Sequence, residues 1–569
     1  MTKGQSILEE LEPLFNPKSV AVIGATNQWN KWGFSTFVSL LDGFRGKIYP
    51  VNNKEDVVLG HKAYRRVIEI PPEEPVDLAV FVIPAASIPG VMEDCIQKGV
   101  RAAVIISAGF AEIGAEGRKL QDRVLGIARQ GPLHFIGPNC MGFWSAPPHL
   151  KSFMFPLPVR PGPLALVSQG GNVGGAVLQA GYLRGLGFQF YVSCGCTADI
   201  QVEDYIEYFS SVPEVKVILA YIEGLNDGQR FIEKVRRVTA QKPVIALKPG
   251  KTEAATKAIT SHSGALSGSS EIFDSAIRKA GGLRVDSAEE LLDVATAFIT
   301  QPLPQGRNVA IITPGGSYGV ISADACASLG LNVVPLSQDT LAEFNRIFPP
   351  RWSRGNPVDP AGDRNFIAYL QAPDLLLKLP EVDSMIFMGF DSFSRFASVF
   401  ATLSQDLSQV FKKLTQSLSQ MVPEGTLRGS LDDDSWMNGL IQAVVRQFFS
   451  LFGTSEPTEV QAFAEKLISL LRSGKTGPHL KRKFVKVLRS LKKDSLTETE
   501  DPFTQLFSPM LQALVLNWTE TYRKPVVTTT FMGNTTSMTD MGYYAYPSAE
   551  RAALVLAKLV EYREFLDRL

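Results

Sequence analysis

Short apolar runs recur along the chain, each stopped by a turn residue and separated from the next by a helix-length amphipathic stretch. In the first 150 residues the runs are Ser19–Ile23 (SVAVI), Lys47–Val51 (KIYPV), Val76–Ile83 (VDLAVFVI), Ala102–Ile106 (AAVII) and Leu133–Ile136 (LHFI). They are near-continuously apolar and rich in β-branched residues rather than alternating. That pattern predicts strands buried on both faces of a parallel sheet. Ala86–Lys98 and Glu116–Gln130 read as helices between them, so the segment is expected to be a doubly wound α/β domain.

The rhythm restarts after Pro161-Gly162-Pro163. Leu164–Val167, Phe188–Val192, Val215–Tyr221 and Pro243–Leu247 form a second series, closed by a predicted helix at Ser287–Thr300 and a linker at Pro302–Pro304. A third series runs through Asn308–Ile312, Asn332–Pro335 and Ser384–Met388, with its last strand at Pro525–Thr529 and a closing helix at Ser548–Leu566. Each series opens with an apolar strand and a glycine-containing turn: GATNQWNKWG, SQGGNVGG and TPGGSYG. The third is interrupted. Residues 391–521 lose the strand–turn rhythm and read as amphipathic helices such as Ala397–Met421, Trp436–Phe452 and Glu459–Arg472. Within them 481–493 (KRKFVKVLRSLKK) is strongly basic. A basic amphipathic helix suits an anionic membrane or a partner, although a solvated helix face is the plainer reading.

Composition narrows the picture. The 569 residues are 45% hydrophobic and 20% charged, enough apolar material for several globular cores. Lys plus Arg and Asp plus Glu are both 57, which argues against a protein that holds nucleic acid by bulk positive charge. The five cysteines are odd in number and scattered, as expected in a reducing compartment. Only Cys194 and Cys196 are close-set, and no second pair completes a zinc site, so no metal ligands are expected. The N-terminal stretch lacks the basic flank and apolar core of a signal peptide, and no apolar run is long enough for a membrane helix. The expectation is a soluble cytoplasmic protein with no integral membrane segment.

The glycine turns carry the candidate chemistry. A strand-to-helix turn presents backbone N–H groups and a helix dipole to a phosphate. In the first turn Gly24 takes the tight position, Thr26 adds a hydroxyl and Lys31 a positive charge. The spacing is not GxGxxG, so a nicotinamide cofactor is not indicated. Further motifs follow at strand ends: Asn52, Pro84-Ala85, Ser107-Ala108-Gly109-Phe110, and Gly137 through Gly142 (GPNCMG). In SHSGALSG, His262 sits among small residues, where an imidazole nitrogen has room to attack phosphorus. A lone histidine is otherwise more often structural.

Taken together, these motifs resemble the NDP-forming acyl-CoA synthetase superfamily, in particular the α subunit of ADP-forming acetyl-CoA synthetase, a relative of succinyl-CoA synthetase α. The resemblance spans about residues 8–390 and 522–569. It implies that coenzyme A lies across Gly24, Ala25, Thr26, Lys31, Asn52, Pro84, Ser107, Ala108 and Gly109, with Asn139 nearby. It implies that His262 is transiently phosphorylated, that Glu223 contacts this histidine, and that Ser168, Gly170 and Gly171 belong to a phosphate-binding loop. ADP or ATP with Mg²⁺ would sit on a separate ATP-grasp β subunit, and the remaining substrates would be phosphate and a small carboxylic acid. The fold class expected is α/β, with three consecutive doubly wound Rossmann/flavodoxin-like domains. These are a CoA-binding domain at 1–150, a succinyl-CoA-synthetase-like domain carrying the histidine loop at 151–303, and a second flavodoxin-like ligase domain at 304–390 and 522–569, interrupted by a helical insertion at 391–521.

Three features depart from the pattern. Cys196 stands where relatives usually have asparagine, the insertion is far longer than the family's usual connection, and no ATP-grasp domain is visible. A CoA- or acyl-CoA-binding regulatory protein without ligase activity is therefore the alternative reading. The synthetase-like part of a protein acetyltransferase is a third reading, weakened because no acetyltransferase domain is evident.

Overall fold

A computed structural model of the chain describes residues 7–255, 269–362, 366–389, 438–439, 441–443, 445–446, 457–471, 502–530, 538–539 and 541–569. His262 and its loop, the expected helix Ala397–Met421 and the basic stretch 481–493 lie outside the described residues. The chain divides into two compact units, Met1–Ile299 with Phe565–Leu569, and Thr300–Glu564.

Among the described residues the first unit holds a two-stranded antiparallel pair, Val57–Val58 with His61–Lys62, and two large sheets. One is built of β1 (Ser19–Ile23), β2 (Lys47–Val51), β3 (Leu78–Phe81), β4 (Ala102–Ile105) and β5 (His134–Ile136). Its order is β2-β1-β3-β4-β5 and every pairing is parallel. All residues of β1, β3 and β4 are buried, which is why these runs are unbroken by polar positions. Successive side chains still point to opposite faces. Val20, Val22, Val80 and Val104 enter one core, while Ala21, Ile23, Ala79, Phe81 and Ile105 enter another. Four helices accompany the sheet: α1 (Ile7–Phe15), α2 (Trp32–Leu41), α3 (Ile88–Lys98) and α4 (Ala115–Ala128).

The second sheet comprises β6 (Phe143–Ser145), β7 (Leu150–Lys151), β8 (Leu164–Ser168), β9 (Phe188–Ser193), β10 (Val217–Tyr221), β11 (Val244–Leu247) and β12 (Leu283–Val285). The order is β12-β11-β10-β8-β9-β6-β7. The last five strands in sequence are parallel, whereas β6 is antiparallel to β9 and to β7. Strands β6 and β7 fall within or at the edge of the first 150 residues yet extend the second sheet. Helices α5 (Gly171–Leu183), α6 (Val202–Ser211), α7 (Gly228–Thr239), α8 (Ser270–Lys279) and α9 (Ala288–Thr300) complete this series. The N-terminal helix also joins it. The Phe15 ring stacks on Tyr208 of α6 at 4.5 Å, and the Tyr208 hydroxyl donates to Glu12 at 2.8 Å. One continuous apolar core thus runs between the two sheets.

The second unit carries a parallel sheet of β13 (Asn308–Ile312), β14 (Asn332–Val333), β15 (Ser384–Met388), β16 (Val526–Thr529) and β17 (Ala545–Tyr546), ordered β14-β13-β15-β16-β17. Around it are α10 (Gly316–Ser328), α11 (Gln338–Ile347), α12 (Phe366–Leu377), α13 (Pro457–Leu471), α14 (Pro502–Tyr522) and α15 (Ala549–Asp567). Helices α13 and α14 lie in or next to the stretch that breaks the strand rhythm. They are packed into this core rather than appended to it: Phe463, Leu467, Leu514 and Trp518 share one cluster with Phe387 of β15. The Trp518 ring meets Phe387 edge-on at 5.5 Å, and Tyr522 donates to Asp374 at 2.8 Å.

In each of the three large sheets the first strand of the series lies between the second and the third. The chain order reverses there, leaving a crevice at the carboxyl ends of these strands. Among the described residues no helix is long and apolar enough to cross a membrane, and no group of three or more His, Cys, Asp and Glu is placed to hold a metal ion.

Candidate active site

The turn after β1 is built for close backbone approach. Gly24 has φ +96°, and a Cβ there would sit 2.3 Å from the carbonyl oxygen of Val82. The following segment is organised by Asn52 and Glu55. The Asn52 side-chain amide donates to the carbonyl of Ala25 at 2.7 Å, and its oxygen accepts from the N–H of Lys54 and Glu55. The Thr26 hydroxyl donates to Glu55 at 2.7 Å, and this bond together with the Asn27 donors holds the Glu55 carboxyl below its usual pKa. Thr26 and Asn52 therefore shape the turn from behind. At the start of α2, Lys31, Trp32 and Gly33 face a cavity.

The ends of β3 and β4 meet through Ser107. Its hydroxyl donates to the carbonyl of Ile83 at 2.6 Å and accepts from the Ile83 N–H at 3.2 Å, and Pro84 and Ala108, the residues that follow Ile83 and Ser107, line the same cavity. Glu112 straps the following loop. Its carboxylate accepts from the N–H groups of Gly109 and Phe110, and its second oxygen lies 3.7 Å from the Cys196 sulfur. Asn139 adopts φ +56°, and its N–H donates to Ser107 at 3.0 Å. The Cys196 N–H donates to Pro138 at 3.0 Å, so a loop of the second sheet is tied to the last strand-end loop of the first. Burial and the neighbouring Glu112 push the Cys196 thiol up to about 12.

The second sheet supplies the opposite wall. The Ser168 hydroxyl donates to the carbonyl of Gly170 at 2.7 Å and turns the chain into α5. In the first turn of α5, the N–H groups of Gly171, Asn172 and Val173 precede any i−4 partner within the helix. A side chain at Gly170 would crowd the site, since a Cβ there would lie 2.8 Å from the Tyr221 ring and 3.2 Å from Glu223 Oε1. The backbone N–H groups of Glu223 and Gly224 donate to Gln169 Oε1 at 2.5 and 3.0 Å. Burial and the Glu223 carboxylate push the Tyr221 phenol well above its usual value.

These pieces enclose one cavity of about 840 Å³. Of the residues singled out in the sequence, Gly24, Lys31, Pro84, Ser107, Ala108, Asn139, Gly170, Gly171 and Glu223 line it. Ala25, Thr26, Asn52, Gly109 and Ser168 do not; they support the lining loops. His262 is outside the described residues. Among the other lining residues, Met154 and Phe155 lie outside every motif read from the sequence, as does Glu112, which supports a lining loop. Trp32, Met141 and Val173 also line the cavity, each inside a motif quoted for its glycines: GATNQWNKWG, GPNCMG and SQGGNVGG. Gln169 stands in the same SQGGN turn.

The arrangement can hold a ligand with two separated anionic groups. The starts of α2 and α5 both open on this cavity, and each brings first-turn backbone N–H groups and the positive end of a dipole to it. Lys31 adds a full charge beside the first, and Glu223 places a carboxylate beside the second. Glycine at 24 and at 170 lets each turn close against the adjacent strand end of its own sheet, at Val82 and at Tyr221.

Comparison with known proteins adds to this geometry. Residues 18–145 match a CoA binding domain, 161–298 a succinyl-CoA ligase like flavodoxin domain, and 309–423 a Ligase-CoA domain. Over 380 residues the chain is 42% identical to the α subunit of ADP-forming acetate–CoA ligase I of Pyrococcus furiosus, covering 66% of this chain and 82% of that one. It is 40% identical over 376 residues to the α subunit of ligase II from the same organism, covering 66% and 81%. Among solved structures, the dinucleotide forming acetyl-coenzyme A synthetase 1 of Ca. Korarchaeum cryptofilum, in complex with phosphate and ADP, matches with a TM-score of 0.69 and 25% identity over 98% of each chain.

Proposed function

Because the chain belongs to the family of ADP-forming acetate–CoA ligase α subunits, we propose that it is the acyl- and phosphoryl-handling subunit of such a ligase, interconverting acyl-CoA, ADP and phosphate with a carboxylic acid, CoA and ATP. The observation that carries this reading is the single cavity onto which two helix N-termini and the Glu223 carboxylate open. One end, with Gly24, Lys31, Pro84, Ser107 and Ala108, suits the phosphates and pantetheine of CoA. The other, at Gly170 and Gly171, suits the phosphate that exchanges with CoA at the acyl carbon. Asn139 lines the same cavity and would offer a polar contact to the reacting carbonyl.

Glu223 then orients His262, which accepts the phosphoryl group and passes it to the nucleotide. A carboxylate on one ring nitrogen selects the tautomer whose other nitrogen is nucleophilic. Little covalent work falls on the protein beyond that exchange; positioning and charge compensation dominate phosphoryl transfer. The nucleotide and Mg²⁺ would be held by an ATP-grasp β subunit, as the relatives' designation as α subunits suggests a second chain. The setting would be cytoplasmic. The domain limits we assign are 1–150, 151–303, and 304–390 with 522–569 around the helical stretch 391–521. Strands β6 and β7 pair across the first of these limits.

The test is reconstitution. The chain co-expressed with a nucleotide-binding subunit should make ATP from acetyl-CoA, ADP and phosphate, and neither chain should do so alone. CoA binding with no phosphate-dependent loss of thioester would instead favour the regulatory reading.

A further inference from the structure

Behind Glu223 sits a buried cation that the scheme above does not use. Lys248 follows the last residue of β11, on the strand next to β10, and is 2% exposed. Its ammonium donates to the carbonyl oxygen of Glu223 at 2.7 Å and reaches that of Pro249 at 3.5 Å. It lies 5.8 Å from the centre of the Phe273 ring. Among the described residues no carboxylate pairs with it directly. Its charged neighbours are Arg284, which donates to the Lys248 carbonyl at 2.8 Å, and the carboxylates of Glu223 and Asp274. Arg284 is matched by its own ion pair with Asp274. Burial, followed by Arg284, pulls the lysine below its ordinary pKa, while Glu223 and Asp274 oppose that pull.

A buried lysine held mainly by carbonyl oxygens is costly, since its desolvation is not repaid by a direct counter-ion. A leucine or methionine would fill the same space more cheaply. The placement becomes intelligible if the compensating negative charge arrives with the substrate. We propose that Lys248 is a positioning residue for phosphoryl transfer: it pins the peptide that carries the Glu223 carboxylate into the cavity, and it supplies fixed positive charge behind the phosphate at the start of α5. This rests on the reading of that end of the cavity as the phosphate site. The charge acts through a low-dielectric layer, where it is screened far less than a surface lysine would be.

The experiment separates the charge from the hydrogen bond. Lys248→Gln keeps a donor for the Glu223 carbonyl and removes the charge; Lys248→Arg keeps both. Two readouts are taken on the full chain: the rate of phosphoenzyme formation from acetyl phosphate, and the affinity for inorganic phosphate by calorimetry. The expected result is a fall of about tenfold or more in both for Gln, with most of each retained in Arg and CoA affinity unchanged in both variants. Wild-type labelling and phosphate affinity in Lys248→Gln would overturn the charge role and leave the lysine a structural anchor. If the wild-type chain itself is not labelled, the phosphohistidine reading fails, and the phosphate affinities of the two variants still decide for or against Lys248.

Discussion

The side-chain oxygen of Gln169 accepts a hydrogen bond from the backbone N–H of Glu223 at 2.5 Å. The same side chain accepts from Gly224 at 3.0 Å and returns a bond from its amide to the Gly224 carbonyl at 2.9 Å. One glutamine thus locks the end of β10 to the turn that opens α5. Glu223 and the turn at Gly170 cannot move apart without breaking these bonds. Replacing Gln169 by leucine orphans two N–H groups, at about 1–3 kcal/mol each. The expected outcome is a lower melting temperature and a loss of about a hundredfold in phosphoenzyme formation, with CoA affinity retained because its loops lie on the other sheet. Equal labelling in the variant would separate Glu223 from the transfer step.

Gly170→Ala tests the same corner sterically. The added methyl would lie 2.8 Å from the buried Tyr221 ring and 3.2 Å from Glu223 Oε1, so ring and carboxylate must give way. Overpacking of this kind costs about 1–3 kcal/mol. Phosphate affinity measured by calorimetry should drop sharply while CoA still binds. An unchanged phosphate affinity would place the anion elsewhere.

Cys196 lines the cavity, yet its thiol is held protonated at neutral pH, pushed up to about 12. Since thiolate is the reactive form, iodoacetamide should modify it far more slowly than an ordinary exposed cysteine at pH 7–8. Cys196→Ser should keep activity, because a hydroxyl also donates to Glu112. The folded-state value lies above the unfolded one. The thiol's contribution to stability is therefore whole below about pH 9 and is lost as pH rises through about 12, a loss that melting curves of the wild type and of Cys196→Ser should distinguish.

His134 on β5 works in the opposite pH range. Its Nδ1 lies 3.1 Å from Asp199 and its Nε2 3.7 Å from Glu10, and these partners, Asp199 first, raise its pKa. A raised value means that the protonated ring's stabilisation is complete below the usual histidine pKa and fades as pH climbs through the raised one. His134→Gln should therefore lower the melting temperature more at about pH 5 than at about pH 9. A pH-independent gap would mean that the ring is neutral in the fold.

Much of the frame was legible because its strands are buried on both faces. SVAVI, KIYPV, NVAII and SMIFM match observed strands residue for residue. The other expected strands shifted only at their ends, by one or two residues, as in Val76–Ile83, where the strand is Leu78–Phe81, while the short edge strands Leu283–Val285 and Ala545–Tyr546 were not read at all. The segment FWSAPPHLK was not read as strand. It is short and broken by two prolines, and what makes β6 a strand is the exposed edge of β9, a partner set by tertiary structure. The lining glycines, Pro84, Ser107 and Asn139 could be read from motifs at strand ends. Glu112 and Lys248 could not, because a carboxylate that straps two N–H groups and an ammonium that pins a carbonyl leave no spacing in the sequence. Thr26 was expected to point its hydroxyl at a ligand. The structure gives that hydroxyl to Glu55, a residue with no motif of its own.

The account turns on one imidazole, and labelling tests it most directly. The full-length chain is incubated with radiolabelled acetyl phosphate and the adduct mapped. The predicted result is one acid-labile, base-stable phosphoryl group on His262, absent from His262→Ala and strongly reduced in Glu223→Gln. An adduct that persists in His262→Ala, or a wild-type chain that takes up none while still binding CoA and phosphate, would contradict it.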